Sequence, residues 1–187
     1  MAKETEVEEA AAKSLAIPDD PKSASRFVVD LFRTKAIYAP GLTFENPRLS
    51  DEEKAEMSEL ISEQRHTASS LEELLEGSKL LAGKDYLNRP FKISNVAWRA
   101  STIAGEGLPI FAILTIVLPD GTEKKVGTGA TSVVESVALG DAADWFGVSV
   151  DKEWLKFTGV DILDEDRKKT GRTAVELHTA GDLAPFQ

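Results

Sequence analysis

Apolar positions follow two different periods along this chain, and the change falls near residue 86. Before it the spacing is helical. Residues 50–66 open on Ser50 with Glu53 three positions later, a capping box, and carry Met57, Leu60 and Ile61 as a narrow stripe among charges. Ser70 and Glu73 repeat that signature and open a second helix with Leu71, Leu74 and Leu75 on one side, until Gly77 and Gly83 break it. Residues 26–38 hold the first apolar run. Phe27, Val28, Leu31 and Phe32 suit a helix, while Phe27-Val28-Val29 suits a strand, so the period leaves both open.

Beyond residue 86 the pattern is extended. Phe91 and Ile93 share one parity and Val96 and Trp98 the other, a phase slip at Ser94-Asn95 that predicts a β-bulge and a bent strand over 90–100. Residues 110–118 are apolar on both parities, as in a strand covered on both faces. Pro119-Asp120-Gly121 predicts a tight turn into a partner strand over 122–128. A helix follows, with Ser132 as N-cap, Glu135 completing the box, Val133, Val134, Val137 and Trp145 on its apolar side, and Gly147 at its end. Alternation returns over 153–160 and 173–179, on either side of a charged loop over 164–172. Strand, strand, strand, helix, strand, strand is the element order of a five-stranded OB-fold Greek-key barrel. The expected fold is therefore mainly β with helices (α+β): an acidic mobile arm over 1–25, a helical extension over 26–83, the barrel over 84–179 and a short tail over 180–187.

Composition narrows the function classes. The chain has no cysteine and two histidines, His66 and His178, which leaves no disulfide framework, thiolate zinc site or thiol nucleophile and disfavours a histidine triad or metal cluster. No apolar run approaches the ~20 residues of a membrane span, and the acidic start carries no secretory pattern, so a cytoplasmic protein is expected. The net charge of −10 is uneven: residues 1–83 carry 10 basic and 17 acidic residues, whereas 84–178 carry 12 and 14. The second half can therefore present a basic patch within an anionic chain.

The cations fall on the elements with which such barrels hold oligonucleotides. Arg167, Lys168, Lys169 and Arg172 stand within six residues in the charged loop, suited to backbone phosphates irrespective of base. Lys124 and Lys125 lie on the third strand, and Lys92 and Arg99 on the first. Trp98, Phe111, Trp154 and Phe157 are candidate platforms for base stacking, worth ~1–3 kcal/mol per base. Each feature also has a plain reading: Asp164, Glu165 and Asp166 can neutralise a merely solvated loop, and Trp98 and Phe111 suit a core. The glycine-rich step Gly127 to Ser132 could hold a phosphate at a helix N-terminus, but it lacks the third glycine of a dinucleotide fingerprint and the lysine of a P-loop. No pair of carboxylates stands out for acid–base catalysis, and no cofactor or metal is expected.

The stretch from Asn88-Arg89-Pro90-Phe91 through Val96-Ala97-Trp98-Arg99, then Pro109 to Leu118, Pro119-Asp120-Gly121 and Val126-Gly127-Thr128-Gly129, resembles single-stranded DNA-binding proteins of actinobacterial phages over roughly residues 84–160. The resemblance implies a non-enzymatic OB-fold that coats single-stranded DNA in phage replication or recombination, in the host cell cytoplasm. Arg99, Lys124, Lys125, Arg167, Lys168, Lys169 and Arg172 would hold phosphates, and Trp98 or Trp154 would stack bases. The tail, with Asp182, Leu183 and Phe186, resembles the partner-docking tip of such proteins, though it has a single acid and ends on Gln187; a frayed terminus is the alternative. The acidic extension departs from a minimal module and suits a cap, a homo-oligomer contact or a DNA mimic. A structural or interaction protein, a virion component or an inhibitor of a host protein, is the alternative function that the net charge favours.

Overall fold

The computed structural model describes residues 14–48, 55, 58, 81–101, 107–163 and 169–181. In chain order the elements are β1 (Ser14–Ala16), α1 (Pro21–Arg33), β2 (Thr43–Glu45), β3 (Leu81–Ala82), β4 (Lys92–Ala100), β5 (Ile110–Val117), β6 (Glu123–Thr128), α2 (Thr131–Ala142), β7 (Leu155–Leu163) and β8 (Lys169–Thr179). The two capping boxes over 50–76 lie outside the described residues.

The ambiguous run at 26–38 resolves as helix. Pro21 supplies the first helical residue, and the Asp20 carboxylate accepts from the Ser23 N–H at 2.8 Å. Ala24, Ser25, Val28 and Leu31 then fall on one buried face. Residues 14–25, assigned to the arm on sequence, contain β1 and the first turn of α1, and Ile17 and Ala24 are buried in the common core.

β4, β5 and β6 form an antiparallel meander. The expected bulge is present: pairing passes from Ile93↔Ile116 to Asn95↔Thr115, which leaves Ser94 as the extra residue and turns Ile93, Val96 and Trp98 all inward. β5 buries Ile110, Ala112, Leu114 and Ile116, while its other face is only half covered. The β5–β6 turn rests on Gly121 at φ +83°, a conformation that a side chain would strain, and on the Asp120 carboxylate accepting from the Thr122 N–H at 2.9 Å.

The closed barrel is not formed. The described strands make three sheets: β1 with β2, parallel; β3-β6-β5-β4; and β7 with β8. Two physical facts prevent closure. The outer edge of β6, where a closing strand would have to pair, is taken by β3 in parallel register, Leu81↔Val126 and Ala82↔Gly127. The β7–β8 hairpin pairs with itself, and among the described residues its backbone joins the rest of the β structure through the short bridges Phe91↔Leu155 and Leu87↔Phe157. Element order alone could not reveal the competing pairing, because β3 is two residues long and carries no alternation.

Both helices pack together against one side of the meander. Val133, Val134 and Val137 of α2 and Val28 and Leu31 of α1 join Trp98, Leu114 and Val126 in a single apolar cluster. A buried polar chain crosses it: the Trp98 indole N–H donates to Ser25 Oγ at 2.8 Å, and that hydroxyl donates to Asp141 Oδ2 at 2.6 Å. Lys22 reaches Asp141 Oδ1 at 3.0 Å and Asp144 Oδ1 at 2.8 Å. No helix among the described residues is long and apolar enough to cross a membrane.

Candidate nucleic-acid interface

The segment richest in cations belongs to the β7–β8 ribbon. Its base is clamped to β4: Phe91 and Leu155 exchange N–H···O bonds of 2.8 Å in both directions, and the Asn88 N–H donates to the Phe157 carbonyl at 2.7 Å. The Phe157 ring is fully buried, 4.7 Å from the Phe91 ring centre and against Gly83. Beyond Phe157, Gly159, Val160, Asp161 and Ile162 of β7 are exposed, while Val175 of β8, opposite Gly159, still packs against the core. Pairing runs from Leu155↔Thr179 to Asp161↔Thr173 and resumes at Leu163↔Lys169, which sets Thr170, Gly171 and Arg172 opposite Ile162 alone. Such an irregularity bends a strand and re-aims its side chains.

Lys169 and Arg172 thus lie on β8 near the end of the ribbon, while Arg167 and Lys168 lie outside the described residues. Lys124 and Lys125 are exposed on β6, opposite Ile116 and Thr115. As successive strand residues they project to opposite faces, so a single phosphate track meets one of them, not both.

The remaining expected contacts are committed elsewhere. Trp98 is 1% exposed, with its only polar atom bonded to Ser25, so it is a core residue and not a stacking platform. Arg99 is half-buried and its Nη1 donates to the Trp98 carbonyl at 2.9 Å. Phe111 is half-buried. Trp154 is half-buried, and the Lys92 ammonium lies 5.1 Å from its ring centre, which occupies one face by a cation–π contact. Lys92 itself is buried and donates to the Ser149 carbonyl, tying the loop after α2 to β4. The tail residues Asp182, Leu183 and Phe186 lie outside the described residues.

The glycine-rich step is an ordinary connection. Ala130, not Ser132, is the N-cap of α2; Ser132 sits inside the first turn and its Oγ donates to the Val175 carbonyl of β8 at 3.0 Å. His178 is exposed and contacts Glu176 at 3.0 Å. Among the described residues no three of His, Asp and Glu come together in a way that could hold a metal ion.

Sequence reasoning missed Trp145. It was placed on the apolar side of α2, but the helix ends at Ala142, Asp144 turns left-handed at φ +58°, and Trp145 is 68% exposed. The signal was Gly140: a Cβ there would collide with the Phe146 ring, so Phe146 folds back onto the helix and Trp145 is turned outward. Beside it runs a groove of about 470 Å³, floored by Ile93, Phe146 and Leu155 and rimmed by Asp144, Asp151, Lys152 and Glu153. Asp144 is held below the usual carboxylate range by its hydrogen bond from Lys22 and then by that ammonium's charge. Comparison with family models, curated proteins and solved structures found no match to this chain.

Proposed function

We propose that this chain binds single-stranded DNA without catalysis, through the cationic end of the β7–β8 ribbon, in phage replication or recombination. The observation that carries the reading is the ribbon itself: a two-stranded arm whose β7 strand is exposed from Gly159 to Ile162, entering a segment with four cations in six residues, Arg167 to Arg172. Cations clustered in a hairpin can follow a flexible phosphate backbone with little regard to base identity. Either Lys124 or Lys125 can extend that track, and the open face of Trp154 is the base platform that remains. The resemblance over residues 84–160 supports the same reading, and the tail with Asp182, Leu183 and Phe186 would then serve a replication or recombination partner.

Fluorescence anisotropy of labelled oligo-dT across a salt series tests it. Binding should weaken as salt rises, with a log–log slope of about −0.7 per phosphate neutralised. Lys169→Gln with Arg172→Gln should flatten the slope by ~1.4. No binding at micromolar protein in low salt refutes the reading. A structural or interaction protein is the second reading, favoured by the exposed Trp145, Leu139, Val148 and Val150; such a protein ignores DNA and co-purifies with a protein partner.

A further inference from the structure

Beside the foot of the ribbon, Asn88, Arg89 and Pro90 face Leu118, Pro119 and Asp120 of the β5–β6 turn across an open depression of about 360 Å³. Small-ligand sites span ~300–1,000 Å³, so this one has room for a group the size of a single nucleotide. The Asn88 N–H is bonded to the Phe157 carbonyl, which joins the depression to β7.

Two opposite charges line the depression, and they do not neutralise each other. Arg89 is exposed, with its guanidinium 5.7 Å from the ring centre of the buried Tyr86, a cation–π contact that steadies the charge without cancelling it. Asp120 is exposed and accepts from the Thr122 N–H at 2.9 Å. Hydrogen bonding from Thr122 first, and the nearby Lys124 charge after it, hold this carboxyl below the usual carboxylate range. Among the described residues neither Arg89 nor Asp120 has an ion pair, and the Asn88 side-chain amide has no hydrogen bond. Asn88 sits at φ +59°, a left-handed turn that asparagine tolerates.

A simple anion is opposed by Asp120 here, and a simple cation by Arg89 and Lys124. A nucleotide answers both charges. Its phosphate pairs with Arg89, the faces of its base suit the apolar surface of Pro90, Leu118 and Pro119, and a donor on the base edge meets Asp120. The bases differ at that edge. Cytosine and adenine carry an exocyclic amine, a donor, where thymine carries the O4 acceptor. A carbonyl oxygen set against a carboxylate is repelled, whereas an amine donates to it.

We propose, resting on the single-stranded DNA reading, that this depression holds one nucleotide of the bound strand and selects a base with an exocyclic amine over thymine. Asp120 accepts from the amine, the Asn88 amide meets the neighbouring positions of the base edge, and Arg89 holds the phosphate. One strand can reach both this subsite and the ribbon's cationic segment. Leu163, paired with Lys169, lies six residues beyond Phe157 on β7, at most roughly 20 Å at ~3.3 Å per residue. The ~4–16 nucleotides of single-strand sites cover that span.

Fluorescence anisotropy of labelled oligo-dC and oligo-dT of equal length, with the full chain at one low salt concentration, tests the selection. Oligo-dC should bind about fivefold tighter, the low end for a specific base contact. Asp120→Asn should bring that ratio close to one: asparagine keeps an oxygen for the Thr122 N–H, so the turn survives, and its amide can donate to O4. Arg89→Gln should weaken both oligomers alike and flatten the salt slope by ~0.7, leaving the ratio where it was. Equal binding of the two oligomers, or a preference that Asp120→Asn does not move, overturns the inference and leaves the nucleic-acid reading standing. Binding of dCMP alone as tightly as the oligomer overturns it too, since the site would then serve a free nucleotide. Failure of both oligomers to bind overturns the two readings together.

Discussion

Ser25→Ala removes one hydroxyl from the centre of the molecule and tests how α1 is held to the sheet. Ser25 is fully buried, accepts from the Trp98 indole N–H at 2.8 Å and donates to Asp141 Oδ2 at 2.6 Å. The alanine leaves the indole N–H without a partner in a site closed to water, a cost of ~1–3 kcal/mol, and takes a hydrogen bond from a carboxylate, worth ~1.5–3 kcal/mol. Lys22 still serves Asp141 Oδ1, and alanine returns ~0.5 kcal/mol of helix propensity. The net loss should be about 3 kcal/mol, a fall in Tm of roughly 6–12 °C for a chain of this size. Urea unfolding followed by far-ultraviolet circular dichroism measures it. Ser25 and Trp98 are coupled: in a Trp98→Phe background no orphan donor remains, so Ser25→Ala should cost ~1–2 kcal/mol less there. A loss below ~0.5 kcal/mol in the native background, or the same loss in both, would show that this polar chain does not carry the stabilisation assigned to it.

Gly140→Ala should destabilise the chain by ~1–3 kcal/mol despite the better helix former, because the new Cβ meets the Phe146 ring; a thermal melt of this variant that matches or exceeds the parent's refutes the packing argument. The Lys22–Asp144 pair gives a pH signature. Burial pushes the Lys22 ammonium down, but its hydrogen bonds with Asp144 and Asp141 outweigh that and hold its pKa above the ordinary lysine range, while Asp144 lies below the usual carboxylate range. Lysine's share of stability is thus complete below ~10.4 and lost as pH rises through its higher folded value; aspartate's share is complete above ~3.9 and lost as pH falls through its lower folded value. The Tm deficit of Lys22→Met should therefore stay constant through neutral pH and shrink at both extremes; a deficit that is flat throughout refutes the pairing. Of the three tryptophans, Trp145→Phe should remove the emission most readily quenched by acrylamide, and Trp154→Phe, not Trp98→Phe, should abolish quenching by oligo-dT.

Local features were legible wherever one residue's own chemistry decides the geometry. The phase slip at Ser94 and the turn at Gly121 belong to this kind, since a bulge changes parity and a left-handed turn needs glycine. The barrel was not legible, because closure depends on which strand takes the free edge of β6, and β3 wins that edge with two residues that carry no pattern. The site divides along the same line. A run of four cations between alternating strands can be read directly, and its strands do pair as a ribbon. Trp98 as a platform could not be judged without α1, whose Ser25 captures the indole from 73 positions away. Trp145 passed for a core residue because its spacing from Val137 continues the helical period, and only the Gly140–Phe146 contact shows that the helix has already ended.

The salt bridge between Lys22 and Asp141 spans 119 residues, and it sets the order of synthesis against the order of packing. When α1 leaves the ribosome, neither the meander nor α2 yet exists, so Val28 and Leu31 cannot complete their packing until the chain has been made through α2, which begins at Thr131. An apolar helix face waiting that long is a natural client for a holdase, and most of the native tertiary contacts of α1 must form late in translation or after release. Any pause introduced between the codons of α1 and α2 prolongs that vulnerable interval, so the yield of soluble protein should depend on elongation speed across this stretch more than across the β7–β8 hairpin, whose two strands are neighbours in the chain.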